Sequence, residues 1–103
     1  MSAVVIGPID EQEIKPVYFV FSDEVSGVNI SSATVTASVV SGTDASPAGI
    51  LTGIISIDNA TKIVSQKVAP VGRTGNTYKL RCAATDANGN VHVVAAQLAV
   101  VSL

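Results

Sequence analysis

Apolar residues in this chain recur at every second position or in short β-branched runs, and nowhere at helical spacing over three turns. The segment SATVTASVV (32–40) sets Val35, Ala37 and Val39 against Thr34, Thr36 and Ser38, the period expected of a strand with one buried face and one wet face. NTYKLRCAAT (76–85) puts Tyr78, Leu80, Cys82 and Ala84 on one side and Lys79, Arg81 and Thr85 on the other. IKPVYFVF (14–21) alternates Val17, Phe19 and Phe21 against Tyr18 and Val20, which predicts an early core strand with Pro16 at its entry. Shorter apolar runs at 3–6, 50–57 and 62–69 predict three further strands, and 91–101 predicts a last one. In that last strand the alternation changes near Ala95-Ala96, so a bulge or bend is expected there.

Turn residues punctuate these runs. Gly7-Pro8 is expected to stop the first strand, because proline cannot donate to a ladder, and an acidic connector follows at 9–13. Residues 1–13 thus read as an extended N-terminal arm. SGTDASPAG (41–49) contains only turn formers and predicts an exposed loop, while Asp58-Asn59-Ala60-Thr61 predicts a tight reversal between two antiparallel strands. Gly53, inside a strand run, suggests a bulge or a close backbone approach, and Gly89 within 86–90 suits a hairpin connection. About seven strands with turns every 8–12 residues make the expected fold all-β: an immunoglobulin-like antiparallel β-sandwich, one domain spanning 1–103.

Composition agrees with a single folded body. Hydrophobic residues are 48% of the 103 and charged residues 14%, the reverse of a disordered chain. Bulk comes from Val, Ile and Ala, with four aromatics (Tyr18, Phe19, Phe21, Tyr78) and no Trp, so the expected core is thin. No apolar stretch is long enough to span a membrane, and MSAVVIGPIDEQEIK lacks the basic start and apolar segment of a signal peptide, which points to cytoplasmic synthesis and folding. The net charge of −2 is too mild to suggest nucleic-acid binding. Its distribution is uneven: residues 1–58 hold seven acids against Lys15, and residues 59–103 hold five cations against Asp86. Strands from the two halves can interleave and mix the signs, or the molecule can present unlike-charged faces suited to head-to-tail or lattice contacts.

Few residues offer chemistry. Cys82 is the only cysteine, so there is no internal disulfide and too few thiolates for a zinc or iron–sulfur site. It lies on the inward side of its strand, where a thiol behaves as a small hydrophobe. His92, on the paired strand, is the one candidate base, with no Asn or Asp clearly placed to orient it, and it has no second metal ligand at i+2 or i+4. Asp86-Ala-Asn88-Gly-Asn90 resembles the start of a calcium loop but lacks the later glycine and glutamate, so turn chemistry is its reading. The chain is expected to be non-catalytic and to use no cofactor or metal.

VSQKVAPVGRTGNTYKLRCAATDANGNVHVVAAQLAV (64–100) resembles the C-terminal part of small immunoglobulin-like virion proteins of tailed bacteriophages. The resemblance is carried by Val64-Ser65-Gln66, Gly72 with Thr74-Gly75, Tyr78, and Asp86 through Gly89; residues 31–51 are similar to the family's middle portion, and Pro70-Val71 departs from it. It implies a structural particle component assembled in the host cytoplasm, present in many copies or as a homo-oligomer, whose partners are capsid, portal or tail proteins and neither nucleic acid nor membrane. A capsid decoration or cement protein, or a head–tail junction component, is the first expectation. A tail or fibre accessory domain touching host glycans is the second, a cytoplasmic enzyme acting through Cys82 a third, and an exported adhesion module a fourth. From charge distribution, the expected contact residues are Lys62, Lys67 and Arg73, with Asp10, Glu11 and Glu13 as a complementary acidic arm.

Overall fold

The computed structural model describes residues 3–22, 25 and 27–102. Seven strands form two stacked sheets: β1 (Ala3–Asp10), β2 (Lys15–Val20), β3 (Ile30–Ser41), β4 (Leu51–Asp58), β5 (Ile63–Val68), β6 (Thr77–Asp86) and β7 (Val91–Val101). Sheet A has the order β1-β7-β6-β3 and sheet B the order β2-β5-β4. The fold is the expected all-β immunoglobulin-like sandwich, with one departure from antiparallel pairing. β1 runs parallel to β7, from Ala3 opposite Ala95 to Asp10 opposite Val101.

Alternation builds the core. β2 sends Val17 and Phe19 inward, β5 sends Val64 and Val68, β6 sends Tyr78, Leu80, Cys82 and Ala84, and β7 sends Val94, Ala96, Leu98 and Val100, all buried. Phe21, Val25, Ile30 and Ile50 close the ends of the same cluster. Burying each large side chain contributes about 1.5–3 kcal/mol, so Phe19, Phe21, Tyr78 and Leu80 carry much of the stabilisation in a core otherwise made of Val and Ala.

The first and last strands differ from the expectations. β1 continues through Gly7-Pro8 to Asp10, so residues 3–10 belong to a sheet. Proline interrupts only the ladder, whose register shifts between Ile6 and Ile9. An outer strand tolerates the missing N–H, and the chain re-enters the ladder because Ile9 is drawn into the core. β7 keeps one register with β6 from Thr77–Ala99 to Thr85–Val91, with no bulge at Ala95-Ala96. Apolar residues on its outer side hide the period in the sequence, whereas the structure buries Val94, Ala96, Leu98 and Val100 without a break.

The expected irregularity at Gly53 is present. Gly53 has φ 75, and the β4–β5 register jumps between Thr52 and Ser56. At this bulge a side chain reaches the Thr52 carbonyl. Gln66, inward-facing and 5% exposed, donates from Nε2 to the Thr52 carbonyl at 2.7 Å and to that of Lys67 at 3.0 Å. The 58–61 reversal forms as expected, and Asn59 within it pairs like a strand residue: its Oδ1 accepts from Ile30 N–H and its Nδ2 donates to the Ile30 carbonyl. The 41–49 segment is mostly exposed, but it runs into a short 3₁₀ turn (Pro47–Ile50), and Asp44 points inward from it.

Candidate functional site

Parity along β6 decides the state of the thiol. Cys82 faces inward between Leu80 and Ala84, opposite Val94, and is fully buried. Burial pushes its pKa up to about 12, which keeps it a neutral thiol near pH 7. His92 stands one inward pair further along the hairpin, opposite Ala84. Its Nε2 lies 2.9 Å from Asp86 Oδ2, while Asp86 Oδ1 accepts from the backbone N–H groups of Asn88 at 2.8 Å and Asn90 at 3.0 Å. The hydrogen bond from His92, with those from Asn90 and Asn88, holds the Asp86 carboxyl below the usual carboxylate range. An ionised carboxylate only accepts, so Nε2 carries the proton toward it. The imidazole is bound to the turn, not to the thiol. Asp86 is the orienting partner that sequence reasoning missed, although it shares the parity of Tyr78, Leu80, Cys82 and Ala84 and so had to point inward.

A second polar cluster gathers the 41–49 loop around the start of β6. Tyr78 donates from its hydroxyl to Asp44 Oδ2 at 2.7 Å, Arg73 Nε donates to the same oxygen at 2.8 Å, and Ser46 N–H donates to Asp44 Oδ1 at 2.8 Å. Asn76 spans the cluster, donating from Nδ2 to the Tyr78 hydroxyl at 3.0 Å and to the Thr43 carbonyl at 3.1 Å, and accepting from Thr43 N–H at 3.2 Å. The Tyr78 hydrogen bond, then the Ser46 N–H and Arg73, lower the pKa of Asp44; burial, and then Asp44, raise that of Tyr78. Gly42 suits the place beside it, because its φ of 99 is one that L side chains rarely adopt and a Cβ there would meet Asn76 Oδ1 and crowd the Asn76 Cα. The Tyr78 phenol thus crosses from the start of β6 to the 41–49 loop.

Of the six residues expected at an interface, Asp10, Glu11 and Glu13 share the end of β1 and the turn before β2, whereas Lys62, Lys67 and Arg73 lie apart from one another. Arg73 is committed to Asp44. Glu13 pairs with Lys15 at 2.6 Å, which lowers its pKa, and accepts from Asp10 N–H. Asp10 accepts from Gln12 N–H, and Glu11 accepts from the Thr74 hydroxyl, which ties the β1–β2 turn to the loop before β6. Lys62 has φ 57 and reaches Asn29 Oδ1 at 3.2 Å, just before β5 begins. Lys67 lies near the other end of β5, exposed, and has no ion pair among the described residues.

Lys67 belongs to the outer face of sheet B. Register places Pro16, Lys67 and Thr52 in one row, Tyr18, Ser65 and Ser56 in the next, and Val20, Ile63 and Asp58 in a third. Tyr18 is 62% exposed and Val20 50%. Between β1 and β2 lies an apolar cavity of about 220 Å³, lined by Pro8, Ile9, Lys15, Pro16, Val68 and Leu98 among others. No protein-family model matches the chain, and no curated protein matches it as a relative.

Proposed function

We infer that this chain is a non-catalytic structural protein of a tailed-bacteriophage virion, a capsid decoration or cement protein or a head–tail junction component that adheres to a repeated protein surface. The observation that carries this reading is the outer face of sheet B. Its middle row sets exposed Tyr18 beside Ser65 and Ser56, the next sets exposed Val20 beside half-buried Ile63 and Asp58, and Lys67, in the first row, has no ion pair among the described residues. An exposed sheet face that sets an aromatic and a β-branched side chain among small and polar neighbours is suited to docking against another protein. The groups that could support chemistry are engaged elsewhere: the Cys82 thiol is buried and His92 is held by Asp86. The resemblance of residues 31–51 and 64–100 to virion proteins supplies the kind of partner, and implies assembly in the host cytoplasm.

The test is co-sedimentation of the purified chain with capsid shells, necks and tails of the phage that carries it. Saturable binding to shells or necks, weakened at least about tenfold by Tyr18→Ala combined with Lys67→Glu, is the expected result. Absence of binding to every particle component removes the reading.

The exposure of Tyr18, at 62%, favours a second role as a tail or fibre domain whose phenol ring stacks on a host glycan. In that case Tyr18→Ala abolishes binding to cell-surface polysaccharide and leaves incorporation into particles intact.

A further inference from the structure

β3 is an outer strand of sheet A, paired on one side with β6 and, among the described residues, on the other with no strand. The remaining three outer strands carry features that keep sheet edges from joining. Gly7-Pro8 breaks the ladder of β1, the six-residue β2 opens on Lys15-Pro16, and β4 bulges after Thr52. β3 between Ser32 and Val39 has no proline, glycine, charge or register shift. The ladder with β6 is disturbed only beside Ser31 and Val40, which bracket that regular stretch. A row of backbone N–H and C=O groups with no strand beside it is matched best by another strand.

The residues of the stretch indicate which one. Ser32-Ala33-Thr34-Val35-Thr36-Ala37-Ser38 reads identically in both directions, with Val35 at the centre. Two antiparallel copies related by a two-fold axis through Val35 set Thr34 opposite Thr36 of the second copy, Ala33 opposite its Ala37, and Ser32 opposite its Ser38. Like meets like at every position, the self-complementarity that a two-fold interface demands. The threonines are exposed on the outer face, where cross-strand Thr–Thr pairs are favourable. On the inner face Ala33, Val35 and Ala37 are only half-buried, and a second strand supplies the cover that one sandwich leaves out. The nearest cations, Arg81 opposite Thr36 and Lys79 opposite Ser38, stand one strand back from the axis in each copy.

We propose that β3 pairs antiparallel with β3 of a second copy of this chain about a two-fold axis through Val35, fusing the two four-stranded sheets into one. The proposal rests on this edge and not on the virion reading, so either can fail alone. Seven paired residues a side make a contact at the small end of specific interfaces, weak in dilute solution and effective where many copies are gathered on one surface.

Sedimentation of the wild-type chain from micromolar concentrations up to about 1 mM tests the pairing. The expected result is a reversible monomer–dimer equilibrium, with amide exchange across 32–38 slowing as concentration rises. The double variants Thr34→Lys/Thr36→Lys and Thr34→Glu/Thr36→Glu each set like charges across the axis on the solvent face, and each should weaken dimerisation at least about tenfold. Mixed together they should form a heterodimer. A wild-type chain that stays monomeric throughout overturns the proposal. So does a dimer that neither variant weakens, or a pair of monomeric variants that fail to join when mixed. Circular dichroism and thermal melting of each variant establish that it is folded, and the exchange measurement on the wild-type chain stands if one is not.

Discussion

The Tyr78 hydroxyl donates to Asp44 at 2.7 Å across 34 positions of sequence, fastening the loop after β3 to the beginning of β6. Tyr78→Phe keeps the buried ring but removes the donor to Asp44 and the acceptor of Asn76. A loss of about 1–2 kcal/mol in urea unfolding is expected. Gly42→Ala should cost about 1–3 kcal/mol more, because φ 99 strains any L side chain and the new methyl collides with Asn76. Equal stability of all three proteins would mean that the loop is not held by this cluster.

Acid should weaken the fold through Asp44, Asp86 and Glu13. Each folded pKa is depressed, so each contribution is fully present above the ordinary values of 3.8 for the aspartates and 4.5 for Glu13, and is lost as pH falls through the lower folded values. Stability measured by denaturant titration at successive pH values should fall from about pH 5 downward. Asp86→Asn should flatten part of that slope, and an unchanged profile would remove Asp86 from the account.

Alkali should act on the core. Cys82 has its pKa raised from 9.0 to about 12, and that of Tyr78 is raised above 10.0. The stability tied to the neutral thiol is fully present below pH 9.0 and is lost as pH rises toward about 12, because the unfolded chain ionises first. Cys82→Ala should reduce the alkaline slope. At neutral pH the wild-type thiol should react with an aromatic disulfide reagent only as fast as the chain opens, and completely in denaturant. Rapid stoichiometric reaction of the folded protein would revive a catalytic role for Cys82.

Gln66 ties the β4 bulge to the core. Gln66→Leu retains the bulk but leaves the Thr52 carbonyl without its donor, a cost of about 1–3 kcal/mol. Faster amide exchange across 52–56, with little change in β6 and β7, is the signature that separates loss of the bulge from general loosening. Uniform acceleration would contradict the local role.

The parts of this fold legible in the sequence are those where one face is dry and the other wet. Ser32–Val39 and Tyr78–Ala84 alternate cleanly because β3 and β6 expose serines, threonines, Lys79 and Arg81 on the outer side. β7 is flanked on both sides by strands and places Val93, Ala95 and Ala99 on its half-covered outer side, so apolar residues on both faces erase the period. Partner choice was hidden for a different reason: nothing local in Ala3–Asp10 specifies a parallel neighbour more than eighty positions away. The same holds for Asp44, an ordinary turn residue bonded to Ser46 of its own loop until Arg73 and Tyr78 arrive from about thirty positions away. Charge counting likewise grouped Lys62, Lys67 and Arg73 by sign, whereas β5 keeps Lys62 and Lys67 at opposite ends and Asp44 engages Arg73.

The parallel seam between β1 and β7 imposes an order on biosynthesis. Ala3–Asp10 is synthesised long before Ala95–Val101, the strand it pairs with, and β6 likewise precedes β7, so this sheet closes only when β7 is free to join it. Chains truncated before Ala95 should therefore remain protease-sensitive along most of their length, whereas chains that extend through Val101 and are released from the ribosome should form a resistant body.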